Sequence, residues 1–267
     1  MNNNISQTRS FSIALYLGVV FALSWPFQIA AVWANDLLSL YTLTSISMVM
    51  VTVGTVICGQ FIFQDGFIGA GWQWGNAKLY LVVIGFCFFL WGVPSLIELG
   101  IGRSMAGFTT NKQFLWIFVI LFVNLIPAFG EEFGWRGYML PRMAHRFAAR
   151  RAVIFHAIVW WAWHLPIMIG TAAKGNAGIV GITSTVLLGA IPATLHGVIF
   201  AYIWSSSSSL AVTTVYHAAY DGIRDSLQMI LSLSPMAYLL VNLVIIILGV
   251  VLLLKGKWSN LVKSSVS

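Results

Sequence analysis

The sequence predicts an all-α fold: a polytopic transmembrane helical bundle of about eight membrane helices, forming one domain over residues 1–267. Three observations lead there. Of the 267 residues, 59% are hydrophobic and only 8% charged, whereas about a quarter of a soluble domain is charged. The apolar residues fall in long runs, each near the roughly 20 residues that a helix needs to cross a bilayer. Polar breaks separate them at Asn35-Asp36, Gln64-Asp65-Gly66, Gly102-Arg103, the basic stretch 142–151, Lys174-Gly175-Asn176 and the serines Ser205 to Ser209, all residue types that end or cap helices.

In chain order the spans are expected at 11–34, 39–63, 79–99, 114–130, 152–169, 178–203, 208–224 and 235–254. The first run, Phe11 to Ala34, ends in Val32-Trp33-Ala34, which imitates a signal-peptide cleavage site. It is too long for the hydrophobic region of a signal peptide and stands as a first membrane helix. Cys58 and Cys87 lie in the second and third spans without a C-x-x-C spacing and read as small buried hydrophobes. The net charge of +7 excludes a nucleic-acid reading in so apolar a chain and sets topology instead. Arg142, Arg146, Arg150 and Arg151 crowd one loop, and Lys255, Lys257 and Lys263 form the tail. Eight spans put that loop, the tail and the N-terminus with Arg9 on one face, expected to be cytoplasmic, while Arg103, Lys112, Lys174 and Arg224 fall on the other.

Seven acidic residues exist, and Glu131 and Glu132 stand side by side at the end of the fourth span. A charge at membrane depth costs about 2.5–3.5 kcal/mol on insertion scales, so such groups face a polar cavity and serve a function. On a helix Glu132 and Arg136 share a face and can pair, while Glu131 points about 100° away. An unpaired carboxylate there suits a general base acting on water. His164 follows in Trp160-Trp161-Ala162-Trp163-His164-Leu165-Pro166, and His217 shares a helix face with Asp221 in His217-Ala218-Ala219-Tyr220-Asp221. Polar groups on three separate apolar spans satisfy one another only by converging. Glu131, His164 and His217 make a zinc set with an open position for water, if a metal is bound. Equally, Glu131 and His164 polarise water without metal while His217 and Asp221 stabilise the oxyanion. His196 reads as structural or cavity-lining, His145 and His156 as loop or packing residues, and Arg224 with Asp225 as an interfacial pair ending the seventh span.

The E-E-x-x-x-R run, the aromatic-x-x-x-His segment and the His-x-x-x-Asn/Asp segment, in that order on separate membrane helices, resemble the CPBP family, which includes type II CAAX prenyl endopeptidases and bacterial Abi-type proteins. The resemblance covers about residues 114–225. It implies an eight-helix intramembrane protease, in a bacterial inner membrane, that hydrolyses a membrane-embedded or membrane-proximal peptide or protein substrate. Matched by position, Glu131, Glu132 and Arg136 form the first motif, Trp160 and His164 the second, and His217 and Asp221 the last. By resemblance Glu131 and His164 activate water and the last motif stabilises the oxyanion, with or without a metal. Trp160 stands where the family usually has phenylalanine, and Asp221 where it often has asparagine. An ionised Asp221 only accepts hydrogen bonds, so it is left to be protonated, to orient His217 or to bind a metal. A transporter or a bacteriocin-immunity protein on the same bundle is the competing expectation.

Overall fold

The computed structural model describes residues 11–102, 119–120, 122–258 and 261. Within them the chain runs α1 (Ile13–Val32), α2 (Leu37–Val56), a π-helical extension Ile57–Ile62, and α3 (Ala77–Gly100). It continues as α4 (Leu125–Glu132), a second π-helical segment Phe133–Met139, α5 (Leu140–Arg146) and α6 (Ala149–Trp163). The remainder is α7 (Leu165–Lys174), α8 (Gly178–Ser207), α9 (Leu210–Leu231) and α10 (Pro235–Lys255). The described residues contain no strand beyond one isolated bridge between Trp72 and Ser209.

The architecture is a helical membrane bundle. Among the described residues, six helical stretches are long and apolar enough to cross a bilayer: Ile13–Val32, Leu37–Ile62, Ala77–Gly100, Ala149–Lys174, Gly178–Ser207 and Pro235–Lys255. The expected seventh span is α9, which has the length but carries His217, Asp221, Arg224 and Asp225. The expected fourth lies partly outside the described residues, as do Arg9, Arg103, Lys112 and Lys263. Its described end, α4, runs without interruption through the π segment into α5.

Several polar breaks act as helix caps. The Asp36 carboxylate accepts from the Ser39 amide at 2.8 Å to start α2, and Asn76 accepts from Lys78 at 2.9 Å to start α3. The serine run divides finely. Ser205, Ser206 and Ser207 finish α8, Ser208 turns the chain at φ 49°, and Ser209 caps α9. The basic stretch 142–151 is not a loop. Arg142 and Arg146 lie on α5, Arg150 and Arg151 start α6, and only Phe147 and Ala148 separate the two helices. Arg150 donates to the Leu254 carbonyl at 2.8 Å, so this corner and the C-terminal end of α10 meet at one end of the bundle.

Close backbone approach decides where α4 sits. A Cβ on Gly130 would lie 2.8 Å from Val49 Cα and 2.9 Å from the Met48 carbonyl oxygen. Only glycine lets α4 rest on the α2 backbone there, and Thr52 donates to the Gly130 carbonyl across the contact at 2.8 Å. The residue that follows, Glu131, is thereby held at a fixed depth in the bundle.

Candidate active site

The two adjacent glutamates have opposite fates. Glu131 lines a cavity of about 430 Å³, and its Oε2 accepts a hydrogen bond from the Trp160 indole at 2.8 Å. Glu132 is fully buried away from that cavity. Its Oε1 receives both Arg136 Nη1 and His217 Nδ1 at 2.8 Å. The π-helical turn that begins at Phe133 keeps Arg136 beneath Glu132, in the kind of local distortion that recurs at functional sites. The Arg136 guanidinium packs over two adjoining rings, with Cζ 4.2 Å from the Phe200 centroid and 4.7 Å from the Trp160 centroid. Cation–π contact thus supports a charge whose Nε and Nη2 find no hydrogen-bond partner.

His164 sits at the break between α6 and α7. Pro166 has no N–H and its ring crowds the preceding turn, so the helix is interrupted there. The broken turn is tied down by α1: Trp25 donates to the Trp163 carbonyl at 3.0 Å, and the Trp163 indole donates to Ser24 Oγ at 2.7 Å. His164 Nδ1 lies 2.8 Å from the Trp160 carbonyl. A carbonyl only accepts, so Nδ1 carries the proton and Nε2 keeps a lone pair. Trp160 therefore braces both residues expected to act on water, Glu131 through its side chain and His164 through its backbone. Phenylalanine at this position could do only the second.

His217 lines the same cavity. One ring nitrogen meets Glu132, and the other lies 3.3 Å from Asp221 Oδ2. Asp221 is itself held by Arg224 at 2.8 Å, which favours orientation of His217 among the roles left open for it. Arg224 also pairs with Asp225 at 2.8 Å. It does not end the helix, since α9 continues to Leu231, and it lines the cavity wall. His196 lines the cavity and bonds the Tyr216 hydroxyl at 2.8 Å. His156 is buried behind the site against the Trp135 carbonyl at 3.0 Å.

The structure thus gathers Glu131, His164, His217 and Asp221 on one cavity, with Glu132 and Arg136 directly behind it. These donors do not fit a zinc ion in this arrangement. Both nitrogens of His217 already face carboxylates, which leaves the ring no lone pair for a metal. Among the described residues, no three His, Cys, Asp or Glu side chains form a group that could hold a metal ion. Sequence reasoning missed Gln28 of α1 and Asn242 of α10, which also line the cavity. A lone amide in an otherwise apolar run was the only signal that either gave.

Residues 112–223 match a family model described as Rce1-like, Type II CAAX prenyl endopeptidase Rce1-like. That segment is similar to the type II CAAX prenyl endopeptidase family. A protein of Methanococcus maripaludis named CAAX prenyl protease 2 is 34% identical over 76 residues, which span 27% of this chain and 28% of that relative. The matched region contains each of the three motifs that meet at the cavity, from Glu131 to Asp221.

Proposed function

We propose that this protein is an intramembrane endopeptidase that hydrolyses a peptide bond of a substrate lying within or beside the bilayer. The CPBP/CAAX similarity supports a protease. The separation of the two glutamates carries the mechanistic reading. Glu131 reaches the cavity beside His164 and His217, while Glu132 is spent on Arg136 and His217.

In this reading Glu131, steadied by the Trp160 indole, takes a proton from a water that also hydrogen-bonds to the lone pair on His164 Nε2. The resulting hydroxide attacks the scissile carbonyl carbon. His217, oriented by Glu132, shares its Nε2 N–H between the long 3.3 Å contact to Asp221 and the oxyanion as it forms. The tetrahedral intermediate then collapses with cleavage of the C–N bond, and Glu131 returns its proton to the departing amine. No step needs a metal. The meeting of Arg150 with the end of α10 supports basic residues gathered at one end of the bundle, the end that the charge bias assigns to the cytoplasmic face.

The test uses purified protein in proteoliposomes with two quenched fluorescent peptides, one a transmembrane helix and one a prenyl-cysteine CAAX sequence. Wild type cleaves at least one of them, cleavage survives a chelator, and Glu131→Gln abolishes it while folding normally. Cleavage that disappears with the chelator and returns with zinc would overturn the metal-free chemistry. Cleavage of neither peptide would overturn the endopeptidase and favour a transporter or an immunity protein.

A further inference from the structure

Gln28 is a buried polar residue on the cavity that this mechanism leaves without a task. It is 2% exposed, it lines the cavity with Glu131, His164 and His217, and neither its Oε1 nor its Nε2 has a hydrogen-bond partner. A buried, unpaired amide destabilises a fold, and an apolar side chain of the same size would avoid that cost. The hydroxyls one turn before it and on the cavity wall contributed by α2 are engaged elsewhere. Ser24 donates to the Val20 carbonyl and accepts from Trp163. On the facing helix Thr44 and Ser47 donate to carbonyls of their own helix, Leu40 and Thr44 respectively. The amide is therefore left unpaired and buried in the cavity wall.

A primary amide presents a carbonyl acceptor and an NH₂ donor in one plane. That pair is complementary to the N–H and C=O of an extended peptide backbone, and it has no match in a fatty chain or a simple ion. A cavity of about 430 Å³ falls in the range that encloses a ligand of drug size. Resting on the peptidase reading above, we propose that Gln28 is a substrate-binding residue that clamps a backbone peptide group of the substrate. It holds the chain in the cavity while water attacks from the side of Glu131 and His164.

The experiment uses the full chain in proteoliposomes with the faster-cleaved of the two peptides. Gln28→Leu raises KM about tenfold, the scale of one lost polar contact, and leaves kcat within about threefold. Because it removes an orphaned amide, it leaves the melting temperature unchanged or higher, which a structural role would not do. In the non-cleaving Glu131→Gln background, Gln28→Leu weakens binding of the same peptide by a similar factor. Methylating the clamped peptide nitrogen then weakens binding to the Glu131→Gln protein but not to the double variant. An unchanged KM, or a lowered melting temperature with unchanged binding, would overturn the clamp and leave the peptidase standing. A wild type that neither cleaves nor binds either peptide would remove the peptidase and the clamp with it.

Discussion

Polar side chains in the first three helices behave differently from those in α4 to α9. In the first group they are mostly satisfied within their own helix. Ser24, Thr44, Thr55 and Ser95 each donate to the carbonyl four residues back, at 2.7 or 2.8 Å. In the second group local pairs are joined by contacts across helices. Glu131 needs Trp160, Glu132 needs His217, and His196 needs Tyr216. A self-satisfied hydroxyl crosses a membrane in any bundle, so it imposes nothing on the fold. A carboxylate whose partner is on another helix is stable only in one arrangement, and that arrangement assembles the cavity. Gln28 belongs to neither group, since both of its amide atoms are buried in the cavity wall without a partner.

The sharpest way to break this contrast is at Glu131. Glu131→Gln keeps the shape and the Trp160 contact, yet peptide cleavage falls about a thousandfold, with size-exclusion profile and melting temperature unaltered. Arg136→Leu tests the buried cluster behind the cavity. It leaves Glu132 with one partner fewer in a dry site and lowers stability by about 3–5 kcal/mol, read as a lower melting temperature and a poorer yield of monodisperse protein. Trp160→Phe removes one hydrogen bond to a carboxylate, worth about 1.5–3 kcal/mol. It lowers kcat by about tenfold while His164, braced by the backbone carbonyl, keeps its place. The smallest effect belongs to the first group. Ser95→Ala deletes a buried hydroxyl bonded only to the Trp91 carbonyl, and it shifts stability by about 0.5 kcal/mol or less. If Ser95→Ala cost as much as Trp160→Phe in thermal unfolding, the distinction between the two regions would fail.

Hydropathy alone determined the fold class and the order of the helices, because apolar runs of membrane length have few alternatives in a bilayer. It also pointed to Glu131, Glu132, Arg136, His164, His217 and Asp221, since ionisable groups in such runs are rare and expensive. The i, i+4 pair of Glu132 and Arg136 was legible from spacing alone. Tertiary structure decided the rest. No spacing rule relates Glu132 to His217, 85 residues apart, nor Trp160 to Glu131, 29 residues apart. The continuity of α4 into α5 was hidden because arginines mark a membrane boundary whether or not a helix ends there. Local patterns state which face of a helix is polar. Which faces meet, and which buried amide is left without a partner, is decided by packing, as where Gly130 lets α4 rest against the α2 backbone.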